Sequence, residues 1–269
     1  MTETGEIECR NALSKCGIPG IDWSLNPYLG CAHGCVYCYA SLMMRFHIEP
    51  EAWGTRAYAK TNIPRVLGRE LTGGRHRRNG TVLLSSVTDP YQPLEAKHGL
   101  TRACLQELSA RDMEVSILTK SHHIMRDIDI LSAMRRVSVG FTITSPLDED
   151  ASILEPGATP TSRRIAALAS LADAGIDTWV FIAPAFPWVV EEPETLKALA
   201  DTLRDAGVSR VSVDPMNFYP GPLVRLLRTL DAERPEYARR LRRAMGNREA
   251  YAASLSRRGR IGFPVAHGP

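Results

Sequence analysis

Three of the six cysteines lie within eight residues, at Cys31, Cys35 and Cys38, in the spacing Cys-x3-Cys-x2-Cys. Thiolates are soft ligands, and a cluster this tight can converge on one inorganic centre, since Gly30 and Gly34 allow the loop to curl. An ordinary four-iron cluster takes four thiolates, so three would leave one iron without a protein ligand. The spacing therefore favours an iron–sulfur cluster that binds a small molecule at its fourth iron.

Other uses of the cysteines stay open from the residues alone. A zinc site normally has four protein ligands, and no fourth ligand follows at the spacing of a zinc finger, although His33 and His47 lie close by. A zinc knuckle, free thiols and a disulfide set are the alternatives for this triad. Cys9 and Cys16 are spaced too widely for a two-residue chelate loop, and we expect free thiols there. Cys104 falls in a predicted helix, where we expect it to pack in the core.

The segments that must position these cysteines alternate between short apolar runs and helical patterns. Six runs have the length and composition of short strands, and helical patterns separate them. This alternation predicts parallel βαβ units in an α/β fold, with the first strand delivering the chain to the cysteine loop. The predicted strands cover residues 21–25, 81–87, 114–119, 137–144, 178–183 and 208–213.

Three predicted helices bear on the boundaries of the fold. Helical periodicity covers residues 39–46, directly after the cysteines, and residues 124–134. A longer helical pattern covers residues 223–244, and Pro235 should break it into two helices. The predicted divisions of the chain are a leader of residues 1–20, a domain of residues 21–221 and an arginine-rich helical extension of residues 222–269.

Polar side chains follow the predicted strands at the ends where barrel enzymes place their chemistry. Hydroxyl residues, Asp and Pro also terminate strands and cap helices, so one polar strand end by itself indicates little. Polar residues at five strand ends around one rim favour a binding site there. The candidates taken from these ends are Ser86, Thr88, Asp89, Tyr91, Lys120, Thr142 and Ser145.

The cysteine spacing, with the aromatic residue Tyr37 before the last cysteine, resembles the signature of radical S-adenosylmethionine (SAM) enzymes. This resemblance implies a [4Fe-4S] cluster on Cys31, Cys35 and Cys38 whose open iron chelates the amino and carboxylate groups of SAM. It further implies reductive cleavage of SAM to methionine and a 5′-deoxyadenosyl radical that abstracts hydrogen from a substrate. The predicted α/β domain would then be the partial (β/α)6 barrel of that superfamily.

Three further stretches are similar to the spore photoproduct lyase-like branch of the superfamily. They are Asn-Pro-Tyr-Leu-Gly at residues 26–30, Ser-Val-Thr-Asp-Pro-Tyr-Gln-Pro at residues 86–93 and Thr-Lys-Ser at residues 119–121. One position departs from that branch, because Ser86 stands where the lyase has a hydrogen-donating cysteine. A serine O–H bond is too strong to donate a hydrogen atom readily, so we do not expect thymine-dimer repair by the lyase relay.

The resemblance also assigns roles to individual residues. It implies that the hydroxyl of Thr88 and the ammonium group of Lys120 contact the amino acid part of SAM, joined by the hydroxyl of Thr142. A lysine ammonium can pair with the SAM carboxylate, and hydroxyls can accept from its amino group. The remaining predicted cofactor-binding residues are Tyr37, Ser86 and Ser145.

Four residues are candidates for lining the cavity in which the radical reacts, namely Tyr39, Tyr91, His33 and Asp89. Tyr39 or Tyr91 could relay a hydrogen atom, since a phenolic O–H bond is weak enough. Tyr39, Tyr91 and Asp89 are therefore the predicted catalytic residues.

Length and composition describe an ordinary globular protein of one large domain or two small ones. The 269 residues are 44% hydrophobic and 23% charged. No apolar run approaches the roughly 20 residues of a membrane-spanning helix, so we expect no membrane partner. The acidic N-terminus lacks the apolar core of a signal peptide. We expect a cytoplasmic location, which suits an oxygen-labile cluster.

The charge pattern leaves the substrate open. The net charge of +3 is too small to imply nucleic acid by itself, but arginines concentrate in residues 239–260 and 75–78. Such clusters bind phosphate backbones or form a solvated face. The expected partners are an electron donor such as flavodoxin or ferredoxin and an unidentified organic substrate, with nucleic acid as an alternative. A non-catalytic iron–sulfur protein and a zinc-binding nucleic-acid module are alternatives of other classes.

Overall fold

The computed structural model describes residues 2–73 and 80–256. The predicted arginine cluster at residues 75–78 and the arginines at 257, 258 and 260 lie outside the described residues. The described strands are β1 (Glu3–Ile7), β2 (Leu13–Lys15), β3 (Trp23–Leu25), β4 (Tyr28–Gly30), β5 (Arg56–Lys60), β6 (Thr81–Leu84), β7 (Glu114–Thr119), β8 (Val137–Thr142), β9 (Asp177–Ile182) and β10 (Arg210–Val213). The described α-helices are α1 (Ala40–Met43), α2 (Ile63–Thr72), α3 (Pro93–His98), α4 (Leu100–Ser109), α5 (Ile128–Ala133), α6 (Asp148–Leu154), α7 (Thr161–Asp173), α8 (Pro187–Val190), α9 (Pro193–Asp205), α10 (Pro220–Glu233), α11 (Pro235–Gly246) and α12 (Arg248–Ser256).

The main sheet contains six parallel strands in the order β10-β9-β8-β7-β6-β3, and β2 pairs antiparallel to β3 at its edge. These six parallel strands fall within the six predicted segments, except that β9 begins one residue earlier, which confirms the predicted α/β fold. Leu25, Leu84, Ile117 and Val139 lie side by side in one row of the register, and all four are buried. This row joins the main hydrophobic core together with helix residues such as Leu105, which explains why these strands are rich in apolar residues.

A small second sheet, in the order β1-β5-β4, carries the cysteine loop. β4 and β5 pair antiparallel, and β4 ends at Gly30, directly before the first cysteine of the loop. β1 pairs parallel to β5 over its full length. The predicted leader of residues 1–20 therefore contributes β1 to the small sheet and β2 to the main sheet. Its short segments pair with strands that are distant in sequence, which local pattern does not reveal.

Two predicted helices differ in the structure. The helix predicted over residues 39–46 is only the single turn α1, and the segment predicted at residues 124–134 is a 3₁₀ helix, His122–Asp127, followed by α5. Met43 is 58% exposed and Phe46 82% exposed, so no packing against the core supports an extension of α1.

The C-terminal part of the described chain is helical, as predicted. α10 ends at Glu233 and α11 begins at Pro235, so the proline separates two helices. α10 packs against α11, α6 and α1, and α1 follows the last cysteine of the loop. No helix of the described residues combines the length and the hydropathy of a membrane span.

The packing of Trp179 against Gly140 in neighbouring strands gives a test of the sheet. A Cβ atom at Gly140 would lie 2.4 Å from Cε2 of Trp179, which is buried. We expect Gly140→Ala to lower the free energy of unfolding by about 1 to 3 kcal/mol, because the indole must shift in a close-packed core. Urea unfolding of the purified protein measures it.

The matched control is Gly17→Ala, since a Cβ atom at Gly17 meets no heavy atom within 4 Å. It should change the same free energy by less than about 0.5 kcal/mol. Equal effects of the two substitutions would contradict the packing described for β8 and β9.

Candidate active site

The carboxyl ends of β6 to β10 and the cysteine loop enclose a cavity of about 420 Å³. The cavity brings together most of the residues predicted from sequence. Those that line it are Cys31, His33, Cys35, Tyr37, Cys38, Tyr39, Ser86, Thr88, Asp89, Lys120 and Thr142.

The cysteine loop curls at two glycines, as predicted. Gly30 has φ +76° and Gly34 has φ +61°, a region that other residues rarely adopt. A Cβ atom at Gly30 would also lie 2.5 Å from the carbonyl oxygen of Arg56. Within the loop, the N–H of Gly34 donates to Cys31 and the N–H of Cys38 donates to Cys35. These short turns direct all three cysteine side chains to one cavity.

The three thiols form a donor set that suits an iron–sulfur cluster. Cys31 and Cys35 are buried and Cys38 is half-buried. Burial, with the nearby carboxylate of Asp89, raises the pKa of Cys31 to about 12, and burial also raises the pKa of Cys35 and Cys38. The thiols are therefore neutral without metal, and metal binding must release their protons. In a cubane each cysteine ligates a different iron, so the sulfurs need not converge on one atom.

Lys120 extends from the end of β7 toward the cysteines. Burial lowers the pKa of its ammonium group, but the ionised form of Cys35 and the carboxylate of Glu155 outweigh this and leave the pKa raised. In residues 2–73 and 80–256 no carboxylate forms an ion pair with it, and its Nζ lies 5.9 Å from the ring centroid of Tyr37. The cavity therefore contains a cation that can bind an anionic group of a ligand.

Asp89 fixes the backbone around Lys120. Its carboxylate accepts hydrogen bonds from Thr119 Oγ1 at 2.7 Å, from the N–H of Lys120 at 2.8 Å and from the N–H of Tyr91 at 2.9 Å. His33 Nδ1 lies 3.4 Å from Asp89 Oδ2. Burial alone would raise the pKa of Asp89, but His33 and these hydrogen bonds lower it to about 2. Asp89 lines the cavity, but its carboxylate oxygens accept hydrogen bonds from within the protein.

The hydroxyl groups after β6 are tied to the cysteine loop. Thr88 Oγ1 donates to the carbonyl oxygen of Gly30 at 2.5 Å and accepts from Gln92 Nε2 at 2.8 Å. Gln92 Oε1 in turn accepts from the N–H of Ala32 at 2.9 Å. Asn26 Nδ2 lies 3.4 Å from Ser86 Oγ. Gln92 and Asn26 thus hold the loop against the strand ends, a role that the sequence patterns alone did not assign.

Ser85, the residue after β6, is a cavity residue that sequence reasoning missed. It is buried, lines the cavity and has φ +69°, which is unusual for a residue with a side chain. Its Oγ has no hydrogen-bond partner in the described part of the protein. A strained residue with a free hydroxyl in a cavity is typical of a ligand-binding site. Its position beside Ser86 was the only sequence signal.

The two tyrosines of the loop have different surroundings. Tyr39 is 44% exposed, and its hydroxyl donates to the carbonyl oxygen of Ser86 at 2.5 Å. Burial raises the pKa of Tyr39 to about 12, so it stays protonated. Tyr37 donates to Glu155 Oε1, and Glu155 Oε2 pairs with Arg164 Nη2 at 2.5 Å. Sequence patterns gave no indication of Glu155 or Arg164.

Two predicted site residues lie elsewhere. Tyr91 is fully buried in the main core and does not line the cavity, so the structure separates it from the other predicted catalytic residues. Ser145 lies beyond the cavity wall because β8 ends at Thr142, and its Oγ donates to Asp150 Oδ2 at 2.6 Å. The structure therefore does not bring Ser145 together with the residues that line the cavity.

The buried bonds of Asp89 predict that it contributes to stability before any cofactor binds. We expect Asp89→Asn to lower the free energy of unfolding of the metal-free protein by about 2 to 3 kcal/mol, because an amide loses charge-assisted hydrogen bonds. Urea unfolding at neutral pH measures this. Asp129→Asn is the control, since Asp129 is exposed and pairs with Arg102, and it should change the value by less than about 1 kcal/mol. Equal values for the two variants would contradict this role.

Comparisons with known proteins agree with this geometry. The sequence model of the Radical SAM superfamily matches residues 25–199. A protein of Methanocaldococcus jannaschii is 33% identical over 186 residues, which is 69% of each chain. A protein of Mycobacterium tuberculosis is 31% identical over 220 residues, or 77% of this chain and 63% of that protein. The radical SAM Nalpha-GlyT isomerase of Pseudomonas phage M6 is 24% identical over 70% of this chain and 38% of its own length.

The fold is similar to that of solved structures. Spore photoproduct lyase complexed with dinucleoside spore photoproduct superposes with a TM-score of 0.67 at 16% identity, covering 86% of this chain and 67% of the lyase. Streptococcus suis SuiB bound to S-adenosylmethionine gives a TM-score of 0.53 at 13% identity, over 80% of this chain and 43% of SuiB. The chain thus spans only part of these longer proteins. With the partial barrel fold and the family match over residues 25–199, the chain belongs to the radical SAM superfamily of enzymes.

Proposed function

We propose that this enzyme uses a [4Fe-4S] cluster and SAM to abstract a hydrogen atom from an organic substrate held in the cavity. One observation carries the proposal: three cysteine thiols, the Lys120 ammonium group, and the Thr88 and Thr142 side chains line the same cavity. The donor set is soft and thiol-only, which suits iron–sulfur ligation. Residues at the carboxyl ends of five strands, β6 to β10, supply the walls, as expected for a barrel enzyme.

Cys31, Cys35 and Cys38 would hold the cluster, and Lys120, Thr88 and Thr142 would hold the amino acid part of SAM. When bound and reduced by one electron, a cluster held by these cysteines would supply the electron that splits SAM into methionine and a 5′-deoxyadenosyl radical. We propose an electron donor of the flavodoxin or ferredoxin kind. Lys120 would pair with the SAM carboxylate, and the hydrogen bond from its backbone N–H to Asp89 fixes the backbone from which that side chain extends.

SAM binding tests the role of Lys120. We expect Lys120→Gln to raise the Kd of SAM for the cluster-loaded enzyme by about ten- to a hundredfold, since a charge-assisted bond of 1.5 to 3 kcal/mol is lost. Equilibrium dialysis with labelled SAM measures it. Lys97→Gln is the control, because Lys97 is exposed on α3, and it should leave the Kd within about twofold. An unchanged Kd in Lys120→Gln would contradict the proposed contact.

The substrate would lie on the other side of the cavity. Lys120 directly follows β7 and Thr142 ends β8, whereas Phe181, Asp214 and Tyr219 come from β9 and from the segment after β10. We therefore propose that the substrate faces this second wall. A carboxylate and two aromatic rings there can bind a polar, partly flat molecule.

A nucleoside or nucleic-acid substrate is the second candidate. Tyr39 and Tyr219 line the cavity and are 44% and 48% exposed, so each offers a ring face on which a base could stack. The similar lyase structure contains a dinucleoside spore photoproduct. We nevertheless propose that the lyase relay itself does not operate here, because the residue at the donor position is Ser86 and its hydroxyl faces Asn26.

The dinucleoside spore photoproduct tests this second candidate. We expect the wild-type enzyme to give no repaired dinucleoside, because Ser86 cannot donate a hydrogen atom, and Ser86→Cys to give detectable product. Liquid chromatography with mass spectrometry measures both reactions. Equal repair by the two enzymes would contradict the assignment to residue 86. No repair by either, with normal SAM cleavage in both, would contradict the nucleoside candidate alone.

A further inference from the structure

Arg225 on α10 contacts the back of the cysteine loop from the C-terminal part of the chain. Its Nε donates to the carbonyl oxygen of Val36 at 2.8 Å, and its Nη1 donates to that of Pro50 at 3.0 Å. Its Nη2 donates to Ser41 Oγ at 3.2 Å. The guanidinium group therefore bonds both to the cysteine loop and to the segment that follows α1.

These acceptors lie directly beside the cysteines. Val36 stands between Cys35 and Cys38 in the chain. Ser41 Oγ donates onward to the carbonyl oxygen of Cys38 at 2.8 Å, so the guanidinium reaches that residue through one hydroxyl. A planar fork with several fixed N–H groups can hold three acceptors in one geometry, which a lysine cannot do.

The charge of Arg225 is not neutralised by a salt bridge in the part of the chain that the structure describes. Burial lowers the pKa of Arg225. An arginine remains a cation at neutral pH in such surroundings. The cysteine site therefore has a fixed positive charge behind it, close to where a cluster would gain negative charge.

We propose that Arg225 is a positioning residue that fixes the cysteine loop and favours the reduced form of the cluster. This inference rests on the proposed function, since it presumes a cluster on the three cysteines. Reduction adds one electron from the external reductant, and hence one negative charge, to the cluster. Net charge and hydrogen bonds around an iron–sulfur cluster set its reduction potential. The guanidinium group therefore shifts the midpoint potential to a less negative value.

Two substitutions separate the charge of Arg225 from its bonding geometry. Arg225→Gln removes the charge, so we expect a more negative midpoint potential in a redox titration followed by electron paramagnetic resonance. Arg225→Lys keeps the charge and loses the fork, so we expect a potential near that of wild type. In both variants a chelator should remove iron about tenfold faster, since residues behind a metal site typically change affinity by that order.

Arg239→Gln is the control, because Arg239 is exposed on α11. This substitution removes one arginine charge from a helix other than the one that contacts the cysteine loop. It should match wild type in both measurements. Equal potentials in wild type and Arg225→Gln would overturn this inference and leave the proposed function intact. If Arg225→Gln retains no cluster, the midpoint potential of Arg225→Lys decides. A potential equal to that of wild type supports the inference, and a clearly more negative potential overturns it. No cluster in wild type would instead overturn the proposed function.

Discussion

The buried ion pair between Glu155 and Arg164 is the interaction on which the site depends. Both side chains are inaccessible to solvent, and their atoms lie 2.5 Å apart. Glu155 accepts from Tyr37 of the cysteine loop, whereas Arg164 donates to the carbonyl oxygen of Thr142 at 2.9 Å. Burial would raise the pKa of Glu155, but Arg164 and Lys120 lower it, so the carboxylate stays charged. The pair therefore joins the cysteine loop to the end of β8, where Thr142 lines the cavity.

A buried ion pair of this kind is not by itself a source of stability. The desolvation of two charges offsets most of their attraction, whereas the loss of one partner alone costs about 3 to 5 kcal/mol. The pair instead fixes positions, because it links the cysteine loop at Tyr37 and the end of β8 at Thr142 to the segment that contains Glu155 and Arg164. Backbone hydrogen bonds also join the cysteine loop to the segment around Glu155. The N–H of Val36 donates to the carbonyl oxygen of Leu154, and the N–H of Gly157 donates to that of His33. The cysteine loop, which has little regular structure, is held by these bonds.

Sequence patterns predicted the sheet and grouped the three cysteines that line one cavity, because both features are local. The apolar runs that became β6 to β10 are short and continuous, and the three cysteines lie in one loop. The contacts between distant parts of the chain were not predictable in this way. Tyr37 meets Glu155 across 118 residues, and Arg225 meets Val36 across 189 residues, so no spacing marks either contact.

Sequence patterns also did not predict which way a single side chain points. Tyr91 and Asp89 follow the same strand two residues apart, yet only Asp89 lines the cavity. Tyr91 follows Pro90 in a turn, where the alternation of a strand no longer decides which way a side chain points. Ser85 shows the reverse case, since its positive φ places it in the cavity although nothing in its residue type indicates this. Only the folded backbone distinguishes these residues.

We propose that the three cysteines hold a cluster that cleaves SAM. The most direct test is anaerobic reconstitution with iron and sulfide, followed by reduction with SAM present and detection of 5′-deoxyadenosine by mass spectrometry. The comparison is between wild type and a variant with Cys31→Ala, Cys35→Ala and Cys38→Ala together. We expect 5′-deoxyadenosine from wild type alone. A wild-type protein that forms a cluster and yields none, or that binds zinc in place of a cluster, would contradict it.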